Sequence, residues 1–282
     1  MNAKEECIPC ILNFCMRTLN FCELPEGDRE RILSEISAKL EHIPLDRSPA
    51  TIADYATRII KERVGIEDLY AAEKKNQNAK ALAVYPRLKE MVERSEDRLK
   101  AAFLVSAMGN IIDLGAHADF DVEAILRDFT HISFAKDDFE VFRRQLEDSC
   151  ELLFIADNCG EIIFDRVLLE ELSDIRRIVA VKTIPFINDV TIDDIQGTGI
   201  EDVAEIIQTG TCNLDFSTET INPGFLEHFR TADVVISKGH ANFEALHGTR
   251  KDIFFLLRAK CNAVADVIGV RKGDFIFTRI PS

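Results

Sequence analysis

The segment ELLFIADNCGEIIFDRVLLEEL, residues 151–172, constrains the fold more than any other part of this chain. An apolar run at 152–156 stops at Asp157-Asn158, turns through Cys159-Gly160, and resumes at Glu161 as a helical pattern carrying Ile162, Phe164, Leu168, Leu169 and Leu172. That sequence of patterns predicts strand, turn and helix. A strand so short and so continuously apolar is buried on both faces, as strands of a parallel sheet are. Open α/β sheets bind ligands beyond the carboxyl ends of such strands, where Asp157 and Asn158 fall.

Five more segments read as strands, 177–182, 204–208, 233–237, 252–257 and 275–278, with helical stretches after several of them. Residues 1–148 instead carry apolar spacings of three and four and almost no strand signal. Ile32, Leu33, Ile36 and Leu40 share one helical face, and Ser48-Pro49 opens a capped helix that Gly65 stops. Further helices are expected at 68–94 and 96–117, with Pro86 and Gly109 as points of interruption or kinking. The expected fold is α/β, with a Rossmann-like, mostly parallel sheet in residues 149–282 preceded by an α-helical domain in residues 1–148.

Composition excludes several functions. The net charge of −15 repels polyanions, and no cluster of Lys and Arg interleaved with aromatics opposes that field, so nucleic acid is not an expected partner. No apolar run approaches the roughly 20 residues that span a bilayer, and the first residues include acids where a signal peptide carries bases. A soluble, cytoplasmic protein without a membrane partner is expected. Eight cysteines among 282 residues are too few for a disulfide scaffold. Four of them, Cys7, Cys10, Cys15 and Cys22, crowd the N-terminus, and Cys7-Ile8-Pro9-Cys10 forms a C-x-x-C open to metal, redox or purely structural readings.

The predicted strand ends carry a consistent polar set: Asp157 and Asn158; Lys182 followed by Asn188 and Asp189; and Ser237, Lys238 and Gly239 with Asn242. Two carboxylates and an amide oxygen are hard ligands of the kind Mg²⁺ or Mn²⁺ accepts. Lysine at a neighbouring strand end, with amides opened by Gly239, suits phosphate oxygens. Taken one at a time, these residues are equally suited to capping helices and loops. Together they fit metal-assisted hydrolysis of a phosphomonoester. Glu161 and Asp165 lie one turn apart, so both can face the site, while Glu161 also suits a first-turn position on the helix dipole. Asn110, Asp113 and His117 share a helical face that either meets the cleft or is solvated.

Asp157-Asn158-Cys159-Gly160-Glu161 with Asp165, Asn188-Asp189-Val190-Thr191, and Ser237-Lys238-Gly239 with Asn242 and Glu244 resemble the signature blocks of the damage-control phosphatase family, also known as domain of unknown function 89. Asp68, Lys74 and Asn78 fit another polar pattern of that family, as does Gly109-Asn110-Ile111-Ile112-Asp113. The resemblance spans most of the chain and is nearest to the compact microbial branch with an N-terminal C-x-x-C. It implies a helical region against a Rossmann-like core and a divalent-metal-dependent phosphatase (Mn, Ni, Co or Mg). The implied substrates are small phosphorylated metabolites such as sugar phosphates or phosphopantetheine-like compounds. By that match Asp157, Asn158 and Asp189 are metal ligands. Lys238 contacts phosphate, and Ser237, Gly239 and Asn242 complete its loop. Asn110, Asp113, Lys74 and Asn78 are then expected to close over the substrate from the helical side, and Asp157, Asp189 or Asp165 to orient the attacking water.

Three rivals differ in what they require. A phosphatase forming an aspartyl phosphate wants a second Asp two residues after the first, where this chain has Cys159. A carboxyl methyltransferase using S-adenosylmethionine wants a glycine-rich loop, and only Gly160 stands after the first strand. A non-catalytic metal or metabolite binder needs the ligands without an activated water.

Overall fold

The computed structural model describes residues 1–109, 132–214, 216 and 220–280. Five helices come first: α1 (Cys7–Asn20), α2 (Glu26–Leu40), α3 (Pro49–Val64), α4 (Ala71–Glu93) and α5 (Arg98–Met108). Their ends follow the local chemistry. The Ser48 side chain accepts from the Thr51 amide with Pro49 in the first turn, and Gly65 ends α3 at φ +73° in the left-handed region. Pro86 is accommodated inside α4. Asn110, Asp113 and His117 lie outside the described residues.

The remaining elements alternate: β1 (Phe134–Asp137), α6 (Phe139–Glu147), β2 (Glu151–Ile155), α7 (Glu161–Glu170), β3 (Arg176–Val181), β4 (Glu205–Gln208), α8 (Pro223–Thr231), β5 (Val234–Lys238), α9 (His240–Leu246), β6 (Ile253–Arg258), α10 (Asn262–Ile268) and β7 (Phe275–Ile280). The seven strands form one sheet in the order β1-β7-β6-β5-β2-β3-β4. Strands β4, β3, β2, β5 and β6 run parallel, and β7 pairs antiparallel with β6. The α/β fold is therefore as expected, with one addition from the stretch read as helical. Strand β1 lies before residue 148 and joins the sheet edge parallel to β7. Its burial is intermediate at Phe134 and exposed at the next three positions, so it has no apolar run to announce it.

Side chains alternate across the sheet into two cores. Leu152 and Phe154 of β2 face one, with α4, α5 and α7; Leu153 and Ile155 face the other, with α8, α9 and α10. All four are fully buried, each worth about 2–3 kcal/mol on transfer from water. Helices α1, α2 and α3 close a third cluster around Ile11, Cys15, Ile36, Ala56 and Ile60. The helical half thus divides by packing: α4 and α5 cover the sheet, and α1–α3 pack mainly on one another.

Strand β2 has β3 on one side and β5 on the other. The chain runs outward from β2 through β3 to β4, then returns to β2's other flank for β5 and β6, so the carboxyl end of β2 is a topological switch point. Ligand crevices of doubly wound sheets form at such points.

Candidate active site

Asp157 and Asn158 leave β2 at the switch point, and the loop after β3 folds back to meet them. Asn158 and Asp189 form an antiparallel bridge, Val190 N donates to Asp157 O (2.9 Å), and Cys159 N donates to Asn188 O (2.8 Å). Backbone pairing therefore sets residues 157–158 and 188–190 side by side, although they are far apart in sequence. The third strand end arrives from β5. Gly239 sits at φ +83° and ψ +170°, a region only glycine occupies readily, and a Cβ there would lie 1.9 Å from Asp157 Oδ2. The carboxylate rests where a side chain would otherwise stand.

Three acids converge here, Asp157, Glu161 and Asp189, all at most 5% exposed. Burial, then the charges of Glu161 and Asp189, push the Asp157 carboxyl well above its ordinary range. Burial also raises Asp189, to about 7, against the opposing pull of Lys182. Asp189 Oδ2 is buried without a hydrogen-bond partner, and Lys182 Nζ stands 3.9 Å from it, an ion pair too long to be a hydrogen bond. Asn158 Nδ2 donates to Asp157 Oδ2 (2.9 Å) and Glu161 Oε1 (2.8 Å), which leaves its carbonyl oxygen as the end able to accept. Two repelling carboxylates, one with an orphaned buried oxygen, and an oriented amide carbonyl form an all-oxygen donor set that fits a hard divalent cation. Among the described residues no three His, Cys, Asp or Glu side chains form a metal-binding group, and the set here has only two carboxylates plus the amide.

A cavity of about 620 Å³ opens on these groups. Asp157, Asn158, Asn188 and Asp189 line its polar end; Phe14, Phe21, Tyr70 and Phe186 supply aromatic wall; and Arg17, His240 and Lys260 bring basic groups. Ile187, also in the lining, is the one non-glycine residue at positive φ (+48°) among those described. A β-branched residue there is strained, and such strain collects at functional loops.

The other expected site residues fall behind this front. Lys238 is fully buried, and its ammonium donates to Asp165 Oδ1 (2.6 Å), Ser106 O (2.8 Å) and Ser106 Oγ (3.0 Å), with Glu161 Oε2 at 3.5 Å. Three donor protons meet three acceptors, so in this arrangement Lys238 does not present a hydrogen bond to the cavity. Asp165, one turn deeper on α7 than Glu161, has no exposed surface and is not in the cavity wall; burial lifts its carboxyl to about 6 against the pull of Lys238. Lys182 donates to Asn242 Oδ1 (2.6 Å), and Asn242 Nδ2 donates to Ala156 O and Lys238 O (both 2.9 Å), tying the ends of β2, β3 and β5 together. The Ser237 hydroxyl is buried without a partner.

Lys74 and Asn78 build a joint between α4 and the loops. Lys74 Nζ bonds Asp68 Oδ2 and Asp194 Oδ2, each at 2.6 Å. Asn78 donates to Asp194 O (2.8 Å) and accepts from Gly160 N (2.6 Å). Neither residue lines the cavity, whereas Glu73 and Gln77 of the same helix do.

Lys260 was not among the expected residues. It stands just beyond β6, lines the cavity, and its charge favours the ionised forms of Asp157 and Asp189. The rule that singled out the ends of β2, β3 and β5 applies equally to β6 and would have found it. Arg17 and the aromatic wall had no such signal, because α1 meets the strand ends only in the folded chain.

A doubly wound α/β protein with an acidic, oxygen-donor site at its switch point is the class that fold and site define. The chain belongs to the family described as the damage-control phosphatase ARMT1-like domain, whose model matches residues 3–276. It is 30% identical to the damage-control phosphatase PH1575 of Pyrococcus horikoshii, over 99% of this chain and 98% of that protein. It is 33% identical to a damage-control phosphatase of Archaeoglobus fulgidus, over 98% of each. The crystal structure of the P. horikoshii DUF89 family protein superposes with a TM-score of 0.88 at 27% identity, covering 99% of both chains. No helix among the described residues is long and apolar enough to cross a membrane.

Proposed function

We propose that this protein is a divalent-metal-dependent phosphatase that hydrolyses phosphomonoesters of small metabolites, sugar phosphates or phosphopantetheine-like compounds, by attack of an activated water. The observation that carries the reading is the convergence of Asp157, Asn158 and Asp189 at the switch point, with Asp189 Oδ2 buried and unpartnered at the end of an open cavity. Family membership and the names of the relatives support the phosphatase class.

Asp157, Asn158 and Asp189 would hold the cation. When bound, Mn²⁺, Ni²⁺, Co²⁺ or Mg²⁺ supplies Lewis-acid polarisation of a phosphoryl oxygen and lowers the pKa of a water. Glu161 and Asp157 accept from the Asn158 amide nitrogen and so orient the side chain with its oxygen as the end that would meet a cation. Lys182, held by Asn242, steadies Asp189 from behind. Lys238 balances the buried charge of Glu161 and Asp165 and so positions the loop. Lys260 and Arg17, two of the three basic groups that meet the cavity, are placed to draw in an anionic substrate. Asp165 faces Lys238, which leaves Asp157 and Asp189 as the aspartates able to accept a proton from an attacking water. Burial raises the Cys159 thiol, so the position after Asn158 offers neither a second acid nor a reactive nucleophile.

The test is phosphate release from a generic aryl phosphate and a panel of metabolite phosphomonoesters, with Mn²⁺, Co²⁺, Ni²⁺ or Mg²⁺ and with chelator, run beside a methyl-transfer assay. Metal-dependent release supports the reading. Chelator-insensitive release, methyl transfer alone, or no turnover across the panel overturns it.

A further inference from the structure

Beside the polar end of the cavity lies a second set of reactive groups that the hydrolytic reading leaves unused. Cys261 follows Lys260 at the end of β6, and its Sγ stands 3.9 Å from His240 Nε2. The other ring nitrogen, His240 Nδ1, is 3.4 Å from Glu244 Oε1, one turn further along α9. Thiol, imidazole and carboxylate thus follow one another in the order nucleophile, base and orienting group. The segment that leads into α1 packs against the same elements: the Met1 ammonium donates to Glu244 O of α9, and Lys4 Nζ pairs with Asp266 Oδ2 of α10 at 3.3 Å. The Lys4 amide donates to Sγ of Cys7 (3.4 Å), the buried member of the C-x-x-C, which brings Cys7 to the side of the molecule where Cys261 stands.

The surroundings favour an ion pair. His240 is raised to about 9: burial opposes the charge, and contacts with Cys261 and Glu244 outweigh it. Cys261 is lowered, burial being overcome by the His240 hydrogen bond and by the Val264 amide. Both imidazole nitrogens then act as donors, one toward the thiolate and one toward Glu244.

We propose that Cys261, His240 and Glu244 form a peroxide-reactive thiolate site, and that Cys7 resolves the oxidised sulfur into a disulfide. The Cys261 thiolate attacks hydrogen peroxide; an S–O bond forms, the O–O bond breaks, hydroxide leaves, and sulfur is oxidised by two electrons to sulfenic acid. The Cys7 sulfur then attacks the Cys261 sulfur, an S–S bond replaces the S–O bond, and the departing hydroxide takes the Cys7 proton to leave as water. Cys7 is the first residue of α1, the helix that brings Phe14, Arg17 and Asn20 to the cavity wall. A bond to Cys261 therefore ties that wall to the end of β6, next to Lys260.

Cys10 and Cys150 provide an internal control, because both are exposed while Cys261 is only partly so. If accessibility governed reactivity, those two would react first. A free thiol with a pKa of roughly 8.5 is only about 3% ionised at pH 7, so full ionisation gains at most about 30-fold, reduced by the lower nucleophilicity of a more acidic thiol. Limiting iodoacetamide at pH 7 on the full chain, read by peptide mass spectrometry, is expected to label Cys261 about 5- to 10-fold faster than Cys10 or Cys150, and Glu244→Gln is expected to narrow that ratio. Hydrogen peroxide should then yield a Cys7–Cys261 linked peptide, reversed by dithiothreitol, and Cys7→Ser should trap the sulfenic acid for dimedone. Equal or faster labelling of Cys10 or Cys150 overturns the thiolate site, and any other disulfide partner overturns the resolving role of Cys7. These readouts require no phosphatase turnover, so they stand or fall apart from the hydrolytic reading. Where turnover is present, peroxide is expected to change it in the wild type and leave Cys261→Ser unaffected.

Discussion

Two clusters of buried charge join the helices to the strand ends, and they are built in opposite ways. In one, Lys74 lies between Asp68 and Asp194 at 2.6 Å from each, and Asp194 Oδ2 also accepts from Thr191 N and Thr191 Oγ1. Burial alone would lower the Lys74 pKa, and hydrogen bonds to Asp194 and then Asp68 more than reverse it. In the other, Asp157, Glu161 and Asp189 crowd together, an Asp189 oxygen is left unpartnered, and the Asp157 and Asp189 carboxyls are pushed up. A matched buried pair holds a structure together; an unmatched excess of one sign stores binding energy for an ion of the other sign. The first cluster is built as a joint and the second carries the proposed site, although both use the same kinds of side chain.

The contrast is sharpest when each cluster is broken. Asp157→Asn or Asp189→Asn is expected to lower metal-dependent phosphate release by at least about 100-fold, while the metal-free variant melts above the wild type because a buried repulsion has been removed. Turnover assays paired with thermal melts in chelator check both halves, and a destabilised Asp189→Asn would erase the distinction. Lys74→Met, by leaving Asp68 and Asp194 unpaired, should cost about 3–5 kcal/mol in denaturant unfolding, with kcat retained in the folded fraction. A selective loss of kcat there would make the joint part of the site. Lys260→Ala is expected to raise KM about 10-fold, with a smaller effect on kcat, since it removes attraction for an anionic substrate while keeping all three acids in place and withdrawing only one of the charges that favour the ionised Asp157 and Asp189.

The smallest expected effect is on pH dependence. Asp157, Asp165 and Asp189 have folded-state pKa values above the unfolded value of 3.8, so the folded protein holds their protons more tightly. Their contribution to stability is greatest below about pH 4 and is lost as pH rises through about 6 for Asp165 and about 7 for Asp189. Melting temperatures in chelator should therefore fall across pH 5–8 by a few degrees from these groups, and a saturating divalent ion should flatten the slope. A slope unchanged by metal would separate the acids from cation binding.

Much of this was legible in the chain itself. Apolar runs and turn residues announced β2 to β7, and the polar residues at the ends of β2 and β3 announced Asp157 and Asp189, which line the cavity, because strand ends are local features and the side-chain pattern there follows from backbone geometry. Strand β1 was not legible: it lies at the sheet edge and is largely exposed, so hydrophobic periodicity is silent. Residue type also could not separate Lys238, saturated by Ser106 and Asp165, from Lys260, which meets the cavity.

The opening segment shows where the division falls. Sequence alone determined that residues 151–172 are strand, turn and helix with Asp157 and Asn158 at the turn, since burial pattern and turn chemistry are written along the chain. Tertiary structure decided that this turn is the switch point, that residues 188–190 pair with it, and that Gly239 vacates the space Asp157 occupies. Such choices depend on which distant groups become neighbours, and buried charges acquire their pKa values and partners only from those neighbours.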